Sequence, residues 1–391
     1  MKNKRILIIR RAYYPAELHV KRNAETLFKH GFEVDLLCLQ KPGERKFEII
    51  NGINVHRLRI RSTRSSLTNY IIEYSIFFLY ISIKLNLLFL RRRYSVIEID
   101  SMPNFLVFAA FIPKIFGINI ILYAFESMPE LWQQRKNIGN TNIISRILNF
   151  EEKISNCFAD KIICCHDMAK TSIIEKGTPE RKISVVLNVP DDSIFNDQLV
   201  ENKNLYQNSI RIVQHGTITE NYGIQIVLGA IKILKGEIDL FYDIIGDGEY
   251  RKELESLVKL YNIEKYVKFH GFVSFNKMIG IISSSDIGIV PMLWEYQSPN
   301  KMFEFIALHK PVIASDRMTF KQYFNEKEVI YFKTGNSSDL SVLFKNISKN
   351  KIDLQNYSSN AYKKYENYRW SRMKEIYLGI YNELTNSNLS L

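Results

Sequence analysis

The sequence predicts an α/β fold of two Rossmann-like doubly wound domains facing across a cleft. Three observations predict it. Apolar strand-like runs alternate with helix-like segments over residues 1–190, the rhythm lapses over 191–209, and it restarts at 210. A length of 391 residues suits two such domains. With 46% hydrophobic and 24% charged residues, the chain is neither disordered nor fibrous.

The elements follow in order. KRILIIR reads as a buried strand, Glu17 to His30 as a helix ended by Gly31, and EVDLLCL as a second strand. YSVIEID, NIILYAF and DKIICC are further strands, each followed by helix-like sequence, and ISVVLNVP closes the N-terminal domain (1–190). The polar stretch DDSIFNDQLVENKNLYQNS (191–209) is the expected linker, with Asp191 and Asp192 solvated within it. Beyond it come the strand IRIVQHG, a helix from Gly223 to Leu234, the strand DLFYDIIG and a helix from Tyr250 to Tyr261. VKFHGFV, DIGIVPM and PVIASD complete the C-terminal domain (210–368). A last helix (369–391) is expected to pack back on the first domain. Ligands of such sheets bind at the carboxyl ends of the strands.

Charge is distributed unevenly. The net charge is +12, and residues 1–190 carry 29 Lys and Arg against 17 Asp and Glu, whereas 191–391 carry 24 of each. An anionic partner is therefore expected at the first half. From Tyr70 runs YIIEYSIFFLYISIKLNLLFL, closed by Arg91, Arg92 and Arg93. Glu73 and Lys84 leave too short an apolar run for the roughly 20 residues of a spanning helix. It reads as a buried helix, or as one lying in a bilayer interface with its arginines on lipid headgroups. Arg57, Arg59, Arg61 and Arg64 add a second basic stretch.

Four cysteines do not form a disulfide scaffold in a chain of this length, and Cys164-Cys165-His166 lacks a second ligand pair for zinc. MKNKRILIIRR has neither the apolar length nor the cleavage site of a signal peptide. A reducing cytoplasm is the expected compartment.

Three loops carry chemistry. Gly216 and Thr217 follow the strand IRIVQH, and Gly246-Asp247-Gly248 follows FYDII; glycines there let a ligand approach the backbone. Ser298-Pro299-Asn300-Lys301 opens a helix, with Ser298 as expected N-cap and Pro299 at the first helical position. Lys301 then stands at the positive end of the helix dipole, where a cation is disfavoured unless an anion binds there. Glu304 lies on the same face and can accept two hydrogen bonds from a sugar diol. The pattern suits a nucleotide: phosphate at the helix tip, ribose at Glu304.

From about 205 to 320 the chain resembles the nucleotide-binding domain of the retaining GT-B glycosyltransferases of family 4. HGTITENYGIQIVLGAI is similar to that family's glycine loop, IIGDGEYRKELE to its GDG turn, and SPNKMFEFIALHKPVIASD to its donor-site helix. VKFHGFV resembles the base-contacting loop, which makes Val273 a donor contact. AFESMPELW and ADKIICCHDMAKTSIIEKGTPERKISVVLNVPD resemble the acceptor half more loosely. There are departures. Tyr296 stands where a first glutamate is usual, with Glu295 beside it; Tyr222 replaces a Lys or Arg; Glu17-Leu18 lies where a Gly-Gly pair is common; and Phe125 replaces a histidine, leaving Glu126 as the polar group.

The resemblance implies a glycosyltransferase that moves a sugar, with retention, from a nucleotide diphosphate sugar to a glycan acceptor. A polyprenyl-diphosphate-linked acceptor of bacterial surface polysaccharide, met at the inner face of the plasma membrane, fits the basic first half. Lys301 stabilises the leaving diphosphate, Glu126 serves the acceptor side, and no protein nucleophile is implied. Metal independence is expected, because the nearest carboxylate pair, Glu98 and Asp100, lies in the other half. A GT-B nucleotide-sugar epimerase is the alternative reading. A nucleic-acid binder would show basic residues interleaved with exposed aromatics, and no such pattern is found.

Overall fold

Described residues of the computed structural model are 4–60, 67–101, 103–136, 143–195 and 209–387. The chain divides into two compact units, one of Met1–Asn188 with Ser371–Leu391, the other of Val189–Trp370.

The N-terminal unit runs β1 (Arg5–Tyr13), α1 (Leu18–Lys29), β2 (Glu33–Leu39), β3 (Phe47–Ile50), β4 (Ile53–Leu58), α2 (Leu67–Arg91), β5 (Val96–Asp100), α3 (Phe111–Ile115) and β6 (Asn119–Ala124). It continues through α4 (Met128–Lys136), α5 (Ile143–Phe158), β7 (Lys161–Cys164), α6 (Asp167–Glu175) and β8 (Ile183–Val185). The sheet order is β3-β4-β2-β1-β5-β6-β7-β8, parallel except for the β3–β4 hairpin. Ile6 to Ile9 and Ile120 to Leu122 are buried on both faces, which is why these strands read as unbroken apolar runs. The hairpin was not read from the sequence. Its turn is Asn51-Gly52, both residues with positive φ, as a two-residue type I′ turn requires.

The second unit runs β9 (Ile210–His215), α7 (Ile224–Leu234), β10 (Leu240–Ile245), α8 (Arg251–Leu260), β11 (Val267–Gly271), α9 (Phe275–Ser283) and β12 (Ile287–Val290). Then follow α10 (Asn300–Ala307), β13 (Val312–Ser315), α11 (Met318–Lys321), β14 (Ile330–Phe332), α12 (Ser337–Ser348) and α13 (Leu354–Tyr365). Helix α14 (Trp370–Ser387) returns to the first unit, where Tyr377 and Tyr381 donate to the buried Glu98. The second sheet is wholly parallel, in the order β11-β10-β9-β12-β13-β14. The order reverses between β9 and β12, so the crevice of this unit opens at their carboxyl ends.

Several expectations change. Residues 191–195 do not behave as a free linker: Asp191 accepts from Ser193 N at 2.9 Å, Asp192 pairs with Arg369, and Phe195 packs edge-on against Phe275. The rest of the expected linker, 196–208, lies outside the described residues. Arg57 is not a surface cation. It is buried on β4, with Nε 3.1 Å from Glu44 and Nη1 2.8 Å from Glu48. Arg92 likewise turns inward to Asp35, a buried carboxylate that also accepts from Tyr94 and Asn54. Arg59, Arg91 and Arg93 are exposed, whereas Arg61 and Arg64 lie outside the described residues.

Candidate active site

The site begins with α10. Its apolar residues Met302, Phe303, Phe305 and Ile306 are buried and anchor the helix to the sheet. Gly288 makes this possible, because a Cβ there would meet the Phe305 ring at 2.4 Å. The helix starts one residue later than expected. Pro299 is the N-cap, its carbonyl accepting from Phe303 N, and Ser298 caps nothing; its hydroxyl donates to Asn300 Oδ1 at 2.5 Å. The amides of the first turn have no partner within the helix.

Two glycine turns face this tip. Gly216 has φ 129° and a Cβ built on it would lie 3.3 Å from Lys301 Cε, so the lysine stem lies over bare backbone. Gly246, with φ 126°, backs the same turn: a Cβ there would fall 1.9 Å from the Gly216 carbonyl oxygen. The turns are laced together by Gly216 N to Ile245 O and Ile218 N to Asp247 O. Lys301 Nζ lies 3.2 Å from Glu304 Oε1, and His215 Nε2 lies 3.1 Å from Glu304 Oε2 without the alignment of a hydrogen bond. Burial, reinforced by the Lys301 charge, pushes the His215 imidazole down to about 4, so it is neutral at physiological pH. The result is a half-exposed cation, a carboxylate and a helix tip around a strip of naked backbone. Such a set can hold a diphosphate next to a diol.

Thr217 is exposed and Tyr222 half-buried, with the Tyr222 carbonyl accepting from Gln214 Nε2. Asp247 accepts from Gly248 N and pairs with Arg251. Val273 follows β11, half-buried. Glu295 is engaged within the unit, accepting from Thr319 N at 3.0 Å and facing Arg317; Tyr296 beside it is exposed. His215 belongs to the turn His215-Gly216-Thr217 that the sequence singles out, but its approach to Glu304 was not legible there.

In the N-terminal unit, Glu126 follows β6, half-buried. Beside it lies a cluster that the sequence did not reveal. Arg10 stacks over Phe125 at 4.2 Å and lies 3.8 Å from Asp100 and 3.9 Å from Glu17. His19 packs against the same Phe125 ring and sits 3.0 Å from Glu17. Burial raises the Asp100 carboxyl well above its usual range and pushes its neighbour Glu98 up to about 7. Among the described residues no three His, Cys, Asp or Glu side chains group to hold a metal ion.

Residues 16–193 match the family described as Glycosyltransferase Family 4, and residues 195–364 match Glycosyl transferases group 1. The chain is 27% identical over 150 residues to the amylovoran biosynthesis glycosyltransferase AmsK of Erwinia amylovora, covering 37% of this chain and 36% of AmsK. It thus spans about a third of that relative's length. Among solved structures, sucrose-phosphate synthase from Thermosynechococcus elongatus superposes with a TM-score of 0.78 at 15% identity, over 98% of this chain and all of that one. Anabaena HepE, solved in complex with UDP-glucose, superposes with a TM-score of 0.73 at 14% identity, over 97% and 99% of the two chains. The fold is that of the GT-B glycosyltransferases.

Proposed function

From its two glycosyltransferase-family halves and its GT-B fold, we propose that the chain transfers a sugar from a nucleoside diphosphate sugar to a lipid-linked glycan, with retention. The observation that carries this reading is Lys301 and the α10 tip laid over the backbone of Gly216, with Glu304 one turn deeper. The diphosphate lies along Gly216 and the free amides of α10. Glu304 accepts from the ribose diol, and the loop at Val273 borders the base. The bond from the anomeric carbon to the diphosphate oxygen breaks, and Lys301 with the helix dipole stabilises the charge that develops on the leaving group. The acceptor hydroxyl enters on the same face, and its proton passes to a diphosphate oxygen. No protein nucleophile is needed.

Lys301 and the helix tip supply the positive charge, so the reading is metal-independent. Glu126 is assigned to the acceptor. That AmsK is an amylovoran biosynthesis glycosyltransferase supports a surface-polysaccharide acceptor, and a polyprenyl-diphosphate-linked glycan at the cytoplasmic face of the membrane is the chemistry we favour. The test is incubation with UDP-, GDP- and CDP-hexoses, with and without such an acceptor, followed by NMR of the anomeric proton. Transfer with the donor's anomeric configuration, undiminished by EDTA, is expected. Inversion, or conversion of the donor to its epimer without any acceptor, would overturn the reading.

A further inference from the structure

Helix α5 is built inside out. Its buried residues are Ser145, Glu152, Ser155 and Asn156, while Ile143, Ile147, Phe150 and Ile154 face outward. Ile143 is 72% exposed and Phe150 64%. On the polar side, Glu152 takes Lys176 Nζ at 2.5 Å and the Ser127 hydroxyl at 2.8 Å. A helix of a water-soluble surface shows the opposite arrangement.

The neighbouring helices extend this face. On α2, Phe77, Ile81 and Leu85 are fully buried, yet Ile76, Leu79, Ile83, Leu87 and Leu90 are exposed along the opposite side. On and after α3, Ile112, Ile115 and Phe116 are exposed as well. Ring contacts join the three: Phe89 meets Phe116 with centroids 5.8 Å apart, and Lys114 lies 5.2 Å over the Phe158 ring. A contiguous exposed apolar surface of this extent marks a protein or membrane contact.

Charge chooses between those two. Lys84, Arg91, Arg146 and Lys153 stand on these helices, Lys114 is paired with Asp160 at 2.8 Å, and the acids of the same helices, Glu73, Glu151 and Glu152, are none of them exposed. Glu73 is buried against Arg11, and burial pushes Glu151 up to about 7. In a two-fold contact the same patch meets itself, so a rim with a net excess of cations such as Arg91, Arg146 and Lys153 would repel its own copy. An anionic lipid surface complements it. Ile72–Arg91 is long and apolar enough to cross a bilayer, but one side of it is committed to the core, so the helix lies along the membrane rather than through it.

We propose that the outward face of α2, α3 and α5 is a docking surface that seats the N-terminal unit in an anionic lipid bilayer. The docking needs no sugar chemistry and stands apart from the transfer reaction, although it would hold the protein where a polyprenyl-linked acceptor lies.

Vesicle flotation without donor or acceptor tests it. The protein should bind phosphatidylcholine vesicles containing about one-third phosphatidylglycerol and bind pure phosphatidylcholine far less. Ile147→Glu with Phe150→Glu, and separately Arg146→Glu with Lys153→Glu, should each lower partitioning roughly tenfold or more. A UDP-induced thermal shift retained by both variants checks their fold and is indifferent to membrane binding. Cys157, the exposed cysteine of α5, can carry an environment-sensitive dye, whose emission should shift to the blue on anionic vesicles. Failure of the wild type to bind anionic vesicles would overturn the proposal, as would binding that neither double variant weakens. So would a dimer in sedimentation velocity that Ile147→Glu with Phe150→Glu dissociates while the wild type ignores vesicles.

Discussion

Lys301 and Glu304 pair across one turn of α10, Nζ to Oε1 at 3.2 Å, with the lysine on the N-terminal side. That order is the less favourable one for a helix, because it sets the cation at the positive end of the dipole. The pair therefore leaves Lys301 under-compensated, and in the function proposed above a bound diphosphate would complete its surroundings. Lys301→Met should lower kcat/KM by about 10²- to 10³-fold, the usual effect of removing one group that stabilises transition-state charge. Initial rates of transfer would show it, and near-normal turnover would remove the diphosphate from this position.

Glu304 is a test of the ribose. The wild type should bind a nucleoside diphosphate more tightly than its 2′-deoxy form, because the lost hydroxyl leaves a carboxylate oxygen unpaired. In Glu304→Gln that preference should shrink by several-fold, from a hydrogen bond to a charged group worth about 1.5–3 kcal/mol. Titration calorimetry of both nucleotides on both proteins gives the ratio, and an unchanged ratio would place the ribose elsewhere.

The two glycine turns should respond differently to alanine. At Gly216 the added methyl meets the flexible Lys301 stem at 3.3 Å and the Tyr222 ring at an ordinary 4.0 Å, but φ 129° is a region L-residues rarely adopt, a strain of about 1–3 kcal/mol. A folded protein with a lowered melting temperature and impaired nucleotide binding is expected. At Gly246 the methyl would overlap the Gly216 carbonyl oxygen, which is backbone and cannot give way. Gly246→Ala should therefore show a clearly lower melting temperature than Gly216→Ala.

His166 gives a pH dependence. Its Nδ1 accepts from Ala169 N at 3.2 Å and so caps α6, and burial holds the imidazole down to about 4. The folded pKa lies below the unfolded value, so the unfolded chain binds the extra proton and stability falls as the pH drops from about 6.5 to 4. Asparagine caps a helix without titrating. His166→Asn should gain up to about 3 kcal/mol relative to the wild type across that window, as measured by urea unfolding at both ends. A constant difference would mean that His166 is not the group protonated on acidification.

The central strands of both sheets were legible because burial on both faces leaves unbroken runs such as Ile6 to Ile9. The edges were not. β3 alternates exposed and half-buried residues, and β14 spans only Ile330–Phe332, too short to stand out. The helix tip at Asn300 and the glycine turns were legible from residue types alone. The contact of His215 with Glu304 was not, since it depends on how α10 sits over Gly288.

By itself, the sequence determined the two strand-and-helix units, the naked turns at Gly216 and Gly246, and an excess of cations in the first half. Local pattern suffices for these, because period, turn conformation and composition are properties of neighbouring residues. Only the tertiary structure decided which cations face solvent. Arg57 is neutralised by Glu44 and Glu48, and Arg92 by Asp35, partners brought close by strand pairing, while Arg91, Arg146 and Lys153 remain exposed beside apolar helix faces. Net charge sums over the chain; a surface is made of the charges that folding leaves uncancelled.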